Sequence, residues 1–268
     1  MLRLTLTTRL QVPLEAPCIV PDQLADKSLA EIVNLPVQHG NREEKLGDYF
    51  TVAGDPTDAR LEIDGDCSRV KWLGANMAAG SLHVNSSAGM HTGSAMRGGT
   101  LAIDGDADDW LGAEMRGGLI HVRGRAGHHV GAAYPGSRAG MRGGILLVNG
   151  MTGDGTGAVL RRGLIAVGGC GDYAGASMVA GSLFVFGPFG RYAGMAMKRG
   201  TIVAMGEPPN MLPTFRDSGI FAPPFLPIYL RKLNELGYAV PNTALTMRRF
   251  CGDIVEKGLG EILLQAPC

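Results

Sequence analysis

The chain lacks an excess of charge of either sign. Its 268 residues carry 25 basic and 25 acidic side chains, a net charge of zero at pH 7, and so carry no overall field for nucleic acid. No segment approaches the ~20 consecutive apolar residues of a membrane helix. Met1 to Cys18 lacks the apolar core of about 7 to 15 residues that a secretory signal needs, so a cytoplasmic protein is expected. Cysteine is scarce and scattered, at Cys18, Cys67, Cys170, Cys251 and Cys268, with no C-x-x-C spacing. That excludes a recognisable zinc or iron-sulfur site within the chain. An odd, dispersed set of buried or incidental thiols fits a reducing compartment.

What the chain has in quantity is glycine, 41 residues, and they recur in register. A block G-x-x-M-x-x-G-x-[LI]-x-V returns every 18 or 19 residues, with its Met position at Met77, Met96, Met115, Met141, Leu160, Met178 and Met197. The closing glycines are Gly80, Gly99, Gly118, Gly144, Gly163, Gly181 and Gly200, and the one long step contains a seven-residue insertion around Tyr134 to Gly140. A fixed period whose unit cannot bury its own apolar face marks a stacked solenoid.

Each closing glycine precedes an alternating triplet such as Leu82-His83-Val84 or Ile120-His121-Val122, a short strand with its outer two residues facing a core. About 19 residues hold two or three such strands and tight corners but no crossover helix, so the units are expected to stack in parallel as a β-helix. The Met position reads as flexible core filler.

Two residues before the first glycine of each unit stand Trp72, His91, Trp110, His129, Gly155, Tyr173 and Tyr192. Stacked at about 4.8 Å these rings form a ladder broken at Gly155, with Trp110 expected between His91 and His129. His91 and His129 are thereby rungs, not ligands. His83 and His121 are two unit spacings apart, too far to share a metal ion, and His128 points away from its neighbour His129.

Residues 1–56 form a non-repetitive capping segment. Leu2, Leu4 and Leu6 alternate as a strand, and Ser28 with Glu31 makes a capping box for a short helix stopped by Pro36. Residues 57–206 are the repeat. Residues 207–268 are a Pro-rich arm with a short helix over 228–236 closed by Gly237. The arm either caps an open end of the repeat or reaches a neighbouring subunit. The fold class is therefore all-β with small α/β extensions.

The run Met96-Arg-Gly-Gly, Gly105-Asp106, Asp109-Trp110-Leu-Gly-Ala-Glu-Met-Arg-Gly-Gly118, then Gly131-Ala-Ala-Tyr134 and Arg161-Arg-Gly-Leu-Ile-Ala-Val-Gly168, resembles the C subunit of formylmethanofuran dehydrogenase. It is equally similar to the homologous chain of the bacterial formyltransferase/hydrolase complex. Leu35-Pro-Val-Gln-His-Gly-Asn-Arg42 with Lys45-Leu-Gly-Asp-Tyr-Phe50 is similar to the family's N-terminal segment, and separates the chain from the similar glycine-rich domain of glutamate synthase. The resemblance covers about residues 1–206, and more loosely 215–233.

The resemblance implies a right-handed parallel β-helix acting as a non-catalytic, assembling subunit. The partners it implies are an amidohydrolase-like chain, a formyltransferase working with tetrahydromethanopterin, and a chain related to the molybdopterin-binding subunit. Together they would take formyl-tetrahydromethanopterin through formylmethanofuran to formate. In the dehydrogenase alternative, tungsten or molybdenum pterin and iron-sulfur centres sit on other subunits. No catalytic residue maps onto this chain, and no cofactor is expected on it alone. The 19 Arg against 6 Lys suit a GC-rich bacterial genome and incline the choice to the hydrolase complex. Two other classes are a stand-alone structural module like the glutamate synthase domain and a left-handed β-helix acyltransferase. The hexapeptide period of the latter gives 18-residue turns with three aliphatic corners, whereas these units carry one aliphatic triplet each.

One feature of the repeat points outward. Directly after the Met position come Arg97, Arg116, Arg142 and Arg161, and the stripe resumes at Lys198 after Val179. Stacked like charges repel unless counter-charge is supplied. They either splay into solvent and pair with acids such as Glu114, or form a track for a polyanion or an acidic partner face. The family resemblance suggests the glutamate-rich tail of a methanofuran-type carrier as that polyanion.

Overall fold

The computed structural model describes residues 1–240 and 245–266, so Cys268 lies outside the described residues. The chain opens with strand β1 (Leu2–Leu6), then β2 (Leu14–Glu15) and two single-turn helices, α1 (Pro21–Leu24) and α2 (Leu29–Val33). The Ser28 side chain accepts from the backbone N–H of Glu31, and the Glu31 carboxylate accepts from the N–H of Ser28, so the capping box is formed in both directions. A hairpin of β3 (Pro36–His39) and β4 (Arg42–Lys45) follows, then β5 (Phe50–Gly54).

The repeat contributes β6 (Arg60–Asp64), β7 (Val70–Lys71), β8 (Ser81–Val84), β9 (Thr100–Ile103), β10 (Leu119–Val122), β11 (Arg142–Thr152), β12 (Arg162–Cys170), β13 (Ser182–Val185) and β14 (Arg199–Ala204). Strands β6 and β8 to β14 pair in parallel, each with the next, inside one 13-stranded sheet. The outer residues of the triplets face inward with no exposure, among them Leu82, Val84, Leu101, Ile103, Ile120 and Val122. The Met-position side chains are all buried beside them.

Each unit is also bonded to the next away from this sheet. Asn76 N–H donates to Ser94 O, Ala95 N–H to Ala113 O, and Arg116 N–H to Met96 O. A second line of parallel bridges joins Cys67, Ala88, Ala107, Ala126 and Thr152. The closing glycines are required by this stacking. Gly118 has φ +87°, and a Cβ there would sit 2.8 Å from both the Met96 Cε and the Gly99 carbonyl oxygen. The methyl of one unit's methionine thus occupies the space beneath the next unit's glycine.

The middle residue of each triplet faces outward, and its character changes along the stack. Early units show Glu62, His83, Ala102 and His121; later ones show Leu147, Ala166, Phe184 and Val203. Helix α3 (Leu226–Glu235) covers the apolar half, burying Leu226, Leu230 and Leu233 against Leu147, Ala166 and Phe184. Each buried leucine contributes roughly 1.5 to 3 kcal/mol. Pro227 lies in the helix's first turn, where a missing N–H costs nothing.

The segment after position 207 holds the expected short helix and covers the open end of the repeat, and it does so with strands where an extended arm was expected. Strands β15 (Arg216–Phe221), β16 (Met247–Gly252) and β17 (Leu259–Gln265) extend the main sheet. β17 continues the parallel stack on β14, and β16 and β15 follow antiparallel. The reason is the pairing potential of β14, whose open edge is satisfied by one more parallel strand. At the other end β1 lies between β6 and β5.

Gly118→Ala should lower stability by about 2 to 4 kcal/mol, the sum of a strained positive φ and a filled contact. Gly136 has φ +86° but nothing within 4 Å of an added Cβ. Gly136→Ala should therefore cost only about 1 kcal/mol. Denaturant melts of the two variants separate the packing contribution from the conformational one.

Candidate functional site

Arg97, Arg116, Arg142 and Arg161 lie on the exposed edge of the stack. Their positions are set by one ladder: the N–H of each donates to the carbonyl of the Met-position residue one unit before, at Met77, Met96, Met115 and Met141. Lys198 N–H donates likewise to Met178 O. No ion pair involves any of these four arginines among the described residues. Glu114, the expected counter-charge, is engaged elsewhere, accepting from the Tyr134 N–H at 3.3 Å. At an exposed separation of about 7 Å, two like charges repel by only about 0.6 kcal/mol. The fold tolerates the stripe as it stands, and a multiply charged anion would gain from every rung.

Sequence reasoning missed Arg162, Arg199 and Lys257. At the position after the stripe, Gly98, Gly117 and Gly143 give way to Arg162, Ala180 and Arg199 in the later units. These cations meet Arg161 and Lys198 in a cleft of about 430 Å³ at the end of the stack. Arg162 also borders a second groove of about 380 Å³, between β12 and α3, floored by Ile145 and Leu164. Among the described residues only Lys198 has an acid near it there, Glu256 at 4.0 Å.

The aromatic ladder forms, with one correction. Trp72 stacks on His91 at 4.2 Å, Trp110 on His129 at 4.3 Å, and Tyr173 on Tyr192 at 5.0 Å. Trp110 does not pair with His91. Tyr134, brought in by the seven-residue insertion, stacks on Trp110 at 4.9 Å and approaches His91 at 5.6 Å. Its hydroxyl bonds His91 Nδ1 at 2.8 Å, a partner an indole face cannot supply. Burial holds the Tyr134 hydroxyl up to about 12 and pushes the His91 imidazole below its ordinary value. The gap at Gly155 is filled by His129, whose Nδ1 would lie 2.6 Å from a Cβ there. All these rungs share left-handed φ near +61 to +70°.

Three further histidines lie against polar neighbours, while His39 packs edge-on against Tyr49 at 5.2 Å with its buried Nε2 unpartnered among the described residues. His83 Nε2 lies 3.0 Å from Asp104, His121 Nε2 lies 3.0 Å from Asn149, and His128 Nδ1 accepts from the Asp154 N–H. Among the described residues no group of three or more His, Cys, Asp or Glu side chains could hold a metal ion. Cys18, Cys67, Cys170 and Cys251 are free thiols. Burial pushes Cys67 and Cys170 up to about 12 and Cys18 up to about 11, which keeps them protonated and unreactive. No described helix is long and apolar enough to cross a membrane.

No family model matches the chain. It is 46% identical over 87 residues to the C subunit of the tungsten-containing formylmethanofuran dehydrogenase 2 of Methanothermobacter wolfeii, covering 31% of this chain and 32% of that protein. It is 42% identical over 84 residues to the C subunit of the molybdenum-containing formylmethanofuran dehydrogenase 1 of Methanothermobacter thermautotrophicus, covering 31% of this chain and 21% of that one. These alignments span a third or less of the curated relatives' length. A chain of the formyltransferase/hydrolase complex of Methylorubrum extorquens, solved with methylofuran, matches over 99% of this chain and 100% of its own, at 32% identity and a TM-score of 0.91. The chain belongs to the family of formylmethanofuran dehydrogenase C subunits.

For this member of the C-subunit family the ring stack is half-exposed, so its loss removes less than a core aromatic would. Trp110→Ala should cost about 2 kcal/mol, a stacking contribution plus partial burial. Calorimetry of the chain checks this. A loss above about 4 kcal/mol would place the indole in the core instead.

Proposed function

We propose that this chain is the non-catalytic scaffold subunit of a formyltransferase/hydrolase complex that takes formyl-tetrahydromethanopterin through formylmethanofuran to formate. The observation that carries this reading is the full-length match to a chain of such a complex. The dehydrogenase relatives align over less than a third of this chain, which favours the hydrolase over the molybdenum or tungsten enzyme. The partners on this reading are an amidohydrolase-like chain, a formyltransferase chain and a chain like the molybdopterin-binding subunit, in the cytoplasm. The repeat is read as a right-handed parallel β-helix, supported by the several lines of parallel contact that join each unit to the next. A scaffold role is supported by the bonds that His91, His121 and His128 make within the fold and by the burial that keeps Cys18, Cys67 and Cys170 protonated.

The stripe of Arg97, Arg116, Arg142 and Arg161 is assigned to the anionic tail of a methanofuran-type carrier held by the complex. Its fit rests on four exposed guanidinium groups without acidic partners among the described residues, carried on successive units whose backbones lie about 4.8 Å apart. No other cofactor is assigned to this chain.

Two measurements test these assignments. The purified chain alone should show no formyl-transfer, hydrolase or dehydrogenase activity, while co-expression with its partners should yield a stoichiometric complex by native mass spectrometry. Activity that stays with the single chain would defeat the scaffold assignment. Arg116→Glu combined with Arg142→Glu should weaken carrier retention by the complex, most strongly at low salt. Unchanged retention at low salt would leave the stripe as a solvated edge.

A further inference from the structure

Exposed apolar side chains are frequent in the C-terminal part of the chain. Of fourteen large apolar side chains that stand exposed among the described residues, seven fall after position 215. Three of them fall within six residues at the turn from β16 into β17: Ile254 is 48% exposed, Val255 76%, and Leu259, the first residue of β17, 57%. Contiguous exposed apolar surface on a folded chain marks an interaction site more often than chance.

This apolar tip is held in place by the fold. Asp253 is buried, and its carboxylate accepts from the Val255 N–H at 3.0 Å and from the Ala196 N–H of the last repeat unit at 3.1 Å. The Gly258 N–H closes the turn onto the Asp253 carbonyl at 2.8 Å. A buried carboxylate is thus committed to keeping Ile254 and Val255 in water. Beside the tip, Leu259 pairs in register with Arg199 and lines the cleft of Arg161, Arg162, Lys198, Arg199 and Lys257. Among the residues that line this cleft, five cations face the single carboxylate of Glu256 in a chain whose total charge is zero.

We propose that this end of the molecule is a docking surface for an acidic segment of a partner protein. The segment's carboxylates meet Arg162, Lys198, Arg199 and Lys257, beyond the Arg161 end of the stripe, and its apolar side chains cover Ile254, Val255 and Leu259. A free small anion would satisfy the cleft but leave the apolar tip in water. A second copy related by a two-fold axis would set this cationic surface against itself. An acidic partner with apolar anchors satisfies both halves. The proposal rests on the reading of the chain as part of a complex and adds to it the place and chemistry of one contact.

The test uses the full chain co-expressed with the formyltransferase and amidohydrolase-like chains of the same complex. Association is measured at about 50 and about 300 mM salt, a range over which exposed charges pass from weakly to strongly screened. Arg162→Glu with Arg199→Glu should weaken association at least about tenfold and flatten its salt dependence. Val255→Asp with Leu259→Asp should weaken it about tenfold while leaving thermal stability unchanged, since both side chains are largely in water. Arg60→Glu, at the opposite end of the stack, should change nothing. Deuterium exchange should show residues 253–259 protected on assembly.

If the complex assembles normally with both double variants, or leaves residues 253–259 unprotected, the docking surface is wrong and the scaffold reading stands. If no complex forms with the unaltered chain, both fall. Dimerisation of the chain alone that Val255→Asp abolishes would replace the acidic partner with a second copy. Tight binding of inorganic polyphosphate without protection of 253–259 in the complex would make the cleft an anion site only.

Discussion

Hydrogen bonding between successive repeat units fixes the distance between equivalent residues at about 4.8 Å, and most features of the chain follow from that spacing. A unit so close to the next has no room for a Cβ where a carbonyl oxygen and a methionine methyl already sit, which is why Gly99, Gly118 and Gly144 close their units. Methionine suits the complementary position because its unbranched chain reaches the pocket left by that glycine. The two residue types form one packing device, repeated along the core.

The same spacing turns like residues into neighbours on the surface. For rings this is favourable, and Trp72, His91, Trp110, His129, Tyr173 and Tyr192 form stacked pairs on one corner despite backbone φ values that L-residues seldom adopt. For guanidinium groups it is mildly unfavourable, and exposure keeps the repulsion small. The periodic core thus leaves the outer positions free to vary from unit to unit. The middle position of the triplet shows this most clearly, changing from Glu62 and His83 to Phe184 and Val203 where α3 covers the sheet.

These properties fit the scaffold role proposed for the chain. Burial keeps Cys18, Cys67 and Cys170 protonated; Tyr134, Asn149 and the Asp154 amide hold His91, His121 and His128, and the arginine stripe lies along one edge.

The sequence by itself determined whatever repeats: the parallel strands, the inward triplets, the methionine and glycine core, the ladder of rings and the four-arginine stripe. Periodicity makes these legible because every unit sits in the same environment, so one correct reading serves seven times. The capping box of Ser28 and Glu31 was legible for a different reason, being entirely local. Tertiary structure alone decided the non-periodic parts. Nothing in the insertion says that Tyr134 lands between His91 and Trp110, because its bond to His91 joins residues 43 positions apart. The proline-rich C-terminal segment read as an arm because its strands β15 to β17 are separated by a helix and turns, and only the open edge of β14 draws β17 into the sheet. The cleft at Arg162, Arg199 and Lys257 likewise exists only once that last strand is in place, since it brings Lys257 and Leu259 against cations that the repeat had already stacked.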